Sequence, residues 1–319
     1  GLSFSGRVHV LACATEYRQE TAILWRSCER NGFEFHPVGV GEPWEGFATK
    51  FLSYLRALHG LLCSEAAAGD LVLLQDAWDT VVVGSADELR SKLAGLNDDE
   101  ILCGAEQVCG PNHFLVGGIE QLYPNPQSVW RYPNSGGLVG TADAMVTLLH
   151  GLIHDTQSGS VLEASDNDQV RLHEYLLSKA DRQDPFPLIL DTKCEVFQCL
   201  YQEKPDWEAV LVDGQPRLRN QVTGELPIVI HGNGHTGRWF LSDLYSEMQL
   251  LKHLGLTMEE LAHLPHEMPV APGTVVTEDI KKEYCPWWYT PGLHKGATDG
   301  FAAFYMIRDL QRKAMSKTR

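Results

Sequence analysis

Asp70-Leu-Val-Leu-Leu-Gln-Asp76-Ala-Trp78-Asp79 decides how this chain folds. Residues 71–74 are an unbroken apolar run, too short for a helix and without the polar alternation of a half-exposed strand. Such a run predicts a strand buried on both faces, as found where helices cover both sides of a sheet. The run leads directly into two carboxylates spaced i, i+3, Asp76 and Asp79. Ligands of open α/β sheets collect at the carboxyl ends of the strands. Two acids there suit a hard divalent cation, which would in turn neutralise a diphosphate. The same spacing also suits an Asp-capped turn facing solvent.

Outward from this strand, the chain alternates. Residues 7–13 (RVHVLAC) and 33–40 (FEFHPVGV) are predicted extended, with a helix over 20–31 ended by Asn31-Gly32. Residues 50–63 place apolar side chains at 51, 52, 55, 58, 61 and 62, a helical period. A helix over 87–96 and a strand over 101–105 follow. Residues 107–140 are rich in Gly, Pro and Asn and predict loops around short strands. Helices are expected at 141–154 and 166–177, the second with Asp166 as N-cap, and strands at 188–191 and 228–231. Alternation of this kind predicts an α/β fold, with a Rossmann-like, mainly parallel central sheet flanked by helices. It stops near residue 250. The expected organisation is therefore a main domain over 1–250 and an extension over 251–319 packed on it. That extension is predicted to hold a short helix near 258–264, a Pro-rich stretch, the aromatic run Trp287-Trp288-Tyr289 and a terminal amphipathic helix.

Composition narrows the function. The 319 residues carry a net charge of −16, which argues against nucleic acid or an anionic membrane as main partner, since both need a basic face. An apolar fraction of 44% and a charged fraction of 21% predict a packed globular chain. No 18 apolar residues run together, so no membrane-spanning helix is expected. None of the 8 cysteines is spaced C-x-x-C, which speaks against a zinc ribbon. Cys13 and Cys63 lie in apolar stretches and are expected as buried thiols; the even count allows disulfides without requiring them, with Cys103–Cys109 and Cys194–Cys199 as the candidate local pairs. The chain opens on Gly1-Leu-Ser, so any targeting segment is expected to have been removed.

Three further segments could carry chemistry. In Pro227-Ile-Val-Ile-His231-Gly-Asn233-Gly234 a strand delivers a histidine to a Gly-rich turn. His231 is a candidate third metal ligand, suited to Mn or Zn, and Gly232 and Gly234 would let backbone N–H groups approach phosphate. A strand-end histidine also serves simple packing. Asn134-Ser-Gly-Gly137 permits close approach of a substrate, or forms an ordinary turn before the helix at 141. Asp166-Asn-Asp168-Gln169 places acids at a helix start, where they complement the helix dipole or act on a substrate.

In this order, the segments resemble the glycosyltransferase domain of the multifunctional procollagen lysyl hydroxylases and its stand-alone relatives. The matching stretches are Ala14-Thr-Glu16, Val38-Gly-Val-Gly-Glu-Pro-Trp44, Gln75-Asp-Ala-Trp-Asp79, Val83-Gly-Ser-Ala-Asp-Glu-Leu89 and Gly104-Ala-Glu-Gln-Val-Cys109. They continue through Asn134–Gly137, Asp166–Gln169, Leu190-Asp-Thr-Lys-Cys-Glu-Val-Phe-Gln198 and Pro227–Gly234, spanning about residues 7–245. The resemblance implies a GT-A-type fold, a UDP-glucose or UDP-galactose donor and Mn²⁺. It implies Asp76, Asp79 and His231 as metal ligands, and Trp44 and Trp78 beside uracil and ribose, with Trp78 standing where the family usually has Tyr. Thr15 and Glu16 would line the base-binding loop, and Lys50, Gly232, Asn233 and Gly234 the donor phosphates. Asn134, Asp166 and Asp168 would lie beside the transferred sugar and acceptor. The chain departs from the family pattern where Asn167 interrupts the acidic run, where Gly110 replaces an aromatic, and where Gly237, with Arg238 next to it, replaces a basic residue. The implied function is hexose transfer to hydroxylysine or another hydroxylated peptide in the ER or Golgi lumen. A glycan or small-molecule acceptor, and a non-catalytic UDP-sugar-binding module, stay open as alternatives.

Overall fold

The apolar run at 71–74 forms the middle of a strand, Leu71–Asp76, buried along its first five residues. It belongs to a computed structural model that describes residues 6–257 apart from 17, 63–68, 126, 203 and 204. The aromatic run and the terminal helix expected in the extension lie outside the described residues, as does Cys63.

In chain order, β1 (Val8–Cys13), α1 (Gln19–Arg30), β2 (Glu34–Val38), α2 (Phe47–Leu62) and β3 (Leu71–Asp76) build the first half of the sheet. They are followed by β4 (Thr80–Val82), α3 (Ala86–Lys92), β5 (Ile101–Glu106), α4 (Val116–Leu122), β6 (Tyr132–Thr141) and α5 (Ala142–Ile153). Next come β7 (His154–Asp155), β8 (Ser160–Val161), α6 (Asp168–Asp181), β9 (Leu188–Leu190) and β10 (Phe197–Cys199). The described part closes with β11 (Trp207–Val212), β12 (Gln215–Asn220), β13 (Val229–His231), α7 (Gly234–Glu247) and α8 (Leu250–His253).

The main sheet has the order β2-β1-β3-β6-β5-β9. β1 runs parallel to β2 and β3, and β9 parallel to β5, while β6 is antiparallel to both its neighbours. Side-chain alternation sends Val72 and Leu74 into the core under α2 and α5, with Phe51, Leu58, Met145 and Leu148. Leu71 and Leu73 point into the opposite core, with Leu24 and Cys28 of α1 and Leu89 of α3. Each such side chain contributes roughly 1.5–3 kcal/mol on full burial, so a strand apolar on both faces belongs at the centre. A second sheet, β10-β13-β4, covers one end, packed against α7 through Ile230, Leu241 and Leu244.

Five expectations need correction. The 107–140 segment is not loops around short strands: it ends in β6, ten residues long and central. Its glycines look like breakers but mark places where neighbours press on the strand. A Cβ at Gly137 would lie 2.9 Å from the Phe197 ring. For the same reason Asn134-Ser-Gly-Gly137 is strand, not turn. The helix expected from 166 starts at Asp168, because Asn167, not Asp166, is the N-cap, its side chain accepting from the N–H groups of Gln169 and Val170. The helix expected over 87–96 stops at Lys92. The cysteine pairs are not bridged: Cys103, Cys109, Cys194 and Cys199 are free thiols, with Cys103 Sγ donating to the Gly104 and Asn134 carbonyls and Cys109 Sγ facing His173 Nδ1. The β11–β12 hairpin lies in a stretch for which the sequence reading predicts no strands; its Asp213-Gly214 turn has both φ angles positive, 51° and 75°, as two-residue hairpins favour.

Candidate metal and donor site

β3 ends at Asp76, and the turn through Asp79 leads into β4. β4 pairs antiparallel with β13 so that Thr80 lies opposite His231. Two hydrogen bonds to main-chain carbonyls lock this corner: the Thr80 hydroxyl Oγ1 donates to the Asp76 carbonyl at 2.6 Å, and Gly232 N–H donates to the Asp79 carbonyl at 2.7 Å. His231 Nε2 then lies 3.4 Å from Asp76 Oδ2 and 3.5 Å from Asp79 Oδ1. These are ion-pair contacts rather than well-formed hydrogen bonds. Asp79 and His231 are buried, whereas the Asp76 side chain is 32% exposed and opens the cluster to solvent.

The donor set fits a divalent cation. Two carboxylate oxygens and one imidazole nitrogen lie within 4.8 Å of one another. Gly136 of the neighbouring strand keeps the space clear, since a Cβ there would lie 2.5 Å from Asp76 Oδ2 and 2.3 Å from His231 Cε1. Burial works against charge on Asp76, yet Lys50 and His231 hold its carboxyl well below the usual range. Burial likewise opposes charge on His231, and its contacts with Asp76 and Asp79 hold its pKa well above the ordinary histidine value. Without a cation, the imidazolium therefore supplies the positive charge. A metal would displace that proton.

Lys50 enters from the first turn of α2, on the face it shares with Tyr54. Its Nζ lies 2.6 Å from Asp76 Oδ1 and 2.7 Å from Asp168 Oδ2, and the side chain is buried. Burial pulls its pKa down, but Asp168 and Asp76 overcome this and raise it. Ser135 Oγ donates to the same Asp168 oxygen at 2.9 Å. The structure thus joins Lys50 and Asp168 to the cluster. It does not join Asp166, whose carboxylate accepts from Glu163 N–H in its own turn at 2.8 Å. Asn134 Oδ1 accepts from Gly136 N–H at 2.9 Å and braces the glycine.

At the Gly-rich turn the expectations divide. Gly232 does not offer its N–H to a ligand, because the Asp79 carbonyl takes it; a Cβ there would meet Leu241 at 2.8 Å, so this glycine lets α7 pack. Asn233 is engaged internally, donating to Glu106 Oε2 at 2.6 Å and accepting from Leu200 and Tyr201 N–H. Gly234, at φ +67°, opens α7, whose N-terminal amides are of the kind that receive anions. On the other side, Thr15 O accepts from Gly41 N–H at 2.9 Å, tying the loop after β1 to the loop that carries Trp44. Glu16 pairs with Arg18, whose guanidinium lies 3.7 Å over the Trp78 ring. Trp44 is 49% exposed and meets Phe47 edge-on.

The sequence matches the PLOD GT domain family over residues 5–245. The chain belongs to that family. It is 27% identical over 232 residues to the human multifunctional procollagen lysine hydroxylase and glycosyltransferase LH3, covering 71% of this chain and 30% of that one. It is 25% identical over 224 residues to uncharacterised protein R699 of Acanthamoeba polyphaga mimivirus, covering 65% of this chain and 41% of the relative. The chain thus spans less than half the length of these relatives. Among solved structures, a galactosyltransferase LgtC complex with donor and acceptor sugar analogues aligns at TM-score 0.42 and 13% identity, covering 80% of this chain and 99% of that one. As a PLOD GT domain the chain has the expected GT-A-type architecture, a mostly parallel sheet with one antiparallel strand and helices on both faces.

Three residues of this PLOD GT domain's site escaped the sequence. Glu106, at the end of β5, is buried, and burial pushes its carboxyl up to about 8 while Gln169 and Asn233 donate to it. Nothing in one sequence marks a strand-end Glu as buried. Ser135 stands out in the sequence only through its neighbouring glycines. Arg238 Nε reaches Asp79 Oδ2 at 3.2 Å; the displaced basic residue after the turn was its one signal.

Proposed function

We propose that this domain is a Mn²⁺-dependent hexosyltransferase. It moves glucose or galactose from a UDP-sugar to a hydroxyl acceptor, a hydroxylysine or another hydroxylated peptide, in the ER or Golgi lumen. The observation that carries this reading is the convergence of Asp76, Asp79 and His231 at the C-terminal end of the sheet in a PLOD GT family chain. The name of the human relative, which joins lysine hydroxylase to glycosyltransferase, supports the acceptor class.

Mixed carboxylate and imidazole ligands suit Mn²⁺. Held there, the cation supplies Lewis-acid stabilisation of the UDP leaving group, worth several kcal/mol. The chain's own residues do the rest. Lys50, fixed by Asp168 and Ser135, keeps a second positive charge beside Asp76. Arg238, mostly exposed on α7, brings a third to the phosphate side through Asp79. Trp78, backed by Arg18, and the half-exposed Trp44 offer flat faces for uracil and ribose. Asp168 already accepts from Lys50 and Ser135, so it acts as a fixed negative charge near the sugar rather than as a proton acceptor.

The test is UDP release from a panel of UDP-sugars, with Mn²⁺ and with chelator, with and without a hydroxylysine peptide, for wild type and Asp79→Ala. Mn²⁺-dependent turnover of one donor, lost in the variant, is expected. Turnover of no donor under any condition overturns the enzymatic reading.

A further inference from the structure

The opposite end of the same sheet carries a second cluster. In the parallel register of β1 and β2, His9 lies opposite Glu34, and His36 follows two residues on, on the same face as Glu34. His9 Nδ1 lies 2.9 Å from His36 Nε2 and 3.3 Å from Glu34 Oε2. The other nitrogen of His9, Nε2, lies 2.9 Å from Oδ2 of Asp70, the buried residue just before β3. His9 and His36 are 2% and 3% exposed, while the Glu34 side chain is 39% exposed and gives access from solvent.

Hydrogen bonding within the chain leaves this cluster unresolved. Asp70 is an acceptor, so in the neutral His9 ring the proton belongs on Nε2. The lone pair on Nδ1 then faces a carboxylate oxygen of Glu34, acceptor against acceptor, in a largely buried place. His36 can donate from Nε2 to His9, but its buried Nδ1 then has no donor among the described residues. A cation placed among His9 Nδ1, His36 Nε2 and Glu34 Oε2 removes the contact between acceptors, since all three can turn lone pairs toward it, and it moves the His36 proton to Nδ1. The Asp70 contact then becomes the carboxylate–histidine–metal arrangement that fixes the tautomer and orientation of a ligating imidazole. Arg7 lies outside the triad, with Nη1 3.2 Å from Glu34 Oε2 and Nε 3.7 Å from Asp70 Oδ2. With Arg7 offsetting one of the two carboxylates, one negative charge is left to meet a divalent ion.

We propose that His9, Glu34 and His36 form a second metal site, selective for a zinc-class divalent ion, with Asp70 as the positioning residue behind His9. Two imidazoles and one carboxylate with an open fourth position match zinc coordination. The ligands come from the two edge-most strands of this side, so the bound ion pins β2 to β1 and acts on stability rather than on transfer.

The experiment uses the full chain carrying Asp79→Ala, which disables the first cluster, after removal of metal by chelation. Titration with Zn²⁺ alone, followed by calorimetry, is expected to show one equivalent bound and a rise in Tm of several degrees. Co²⁺ in place of Zn²⁺ should give the visible absorption of a four-coordinate site. Adding His36→Phe should abolish both signals, and adding Glu34→Gln should weaken binding at least tenfold. If His36→Phe does not fold, the half-exposed Glu34→Gln decides the matter. Absence of Zn²⁺ binding, or binding that neither substitution changes, overturns the proposal.

Discussion

β3 has a carboxylate at each end, and the two ends are built differently. At the C-terminal end Asp76 enters a cluster dense with opposite charges, where Lys50, His231 and Arg238 face Asp76, Asp79 and Asp168. Its members come from five separate elements and the turn between β3 and β4. At the N-terminal end Asp70 backs a triad drawn from two neighbouring strands, with two histidines and only Glu34 among the ligands themselves. The crowded end holds several positive charges that can be redistributed when an anionic ligand arrives. At the sparse end the carboxylates lean on Arg7, outside the triad, so there is less charge to redistribute, which suits an ion that stays. One strand can therefore serve a changing site and a static one, provided that they lie at opposite ends.

The largest effect expected from breaking this contrast is at Lys50. Lys50→Met leaves Asp76 and Asp168 without their shared counter-charge, and loss of one partner from a buried ion pair costs about 3–5 kcal/mol. Urea unfolding should register it, and a midpoint unchanged from wild type would show that the crowded end does not depend on internal charge balance. Next comes Asp79→Ala, expected to lower Mn²⁺-dependent UDP release about 100-fold or more, in line with several kcal/mol of metal assistance. Retained Zn²⁺ binding in the same variant would show the two ends to be independent.

A smaller effect concerns pH. Burial, with His9 and Arg7 nearby, lowers His36 from 6.5 to about 4. The unfolded chain thus takes up a proton that the folded chain refuses, and stability is lost as pH falls from 6.5 towards 4. His231 is raised, so its contribution has the opposite sign: present at low pH and lost as pH climbs through its folded value. In chelated protein, His36→Phe should flatten the acid-side fall in Tm. Imidazole NMR at pH 7 should find His36 neutral and His231 protonated, and the same charge state for both would erase the contrast. The smallest effect belongs to Arg7→Met. This exposed ion pair should contribute under about 1 kcal/mol, measurable as a Tm change of a few degrees at most.

Much of the fold was legible because apolar spacing reports burial directly. β1, β3, α2 and α5 follow from it, each to within a few residues. β6 was not, because its glycines answer to Phe197, Asp76 and His231, residues 60 or more positions away in the chain or across the sheet. Asp166 and Asn167 are equally good caps by type, and the choice between them decides which acid meets Lys50; only packing of α6 makes that choice. Asp76, Asp79 and His231 could be singled out since each lies at or just beyond the end of an apolar run. His9, Glu34 and His36 give no such signal because they interrupt strands, and only the β1–β2 register shows that they share a face.

Gly136 has a consequence for descent. A Cβ there would lie 2.3 Å from His231 Cε1 and 2.5 Å from Asp76 Oδ2, so a lineage that changes this position must also displace those two side chains. A lineage that has abandoned transfer is released from the constraint, and alanine or serine can accumulate. Surveying that single codon across relatives would show where the room between the two side chains is kept open.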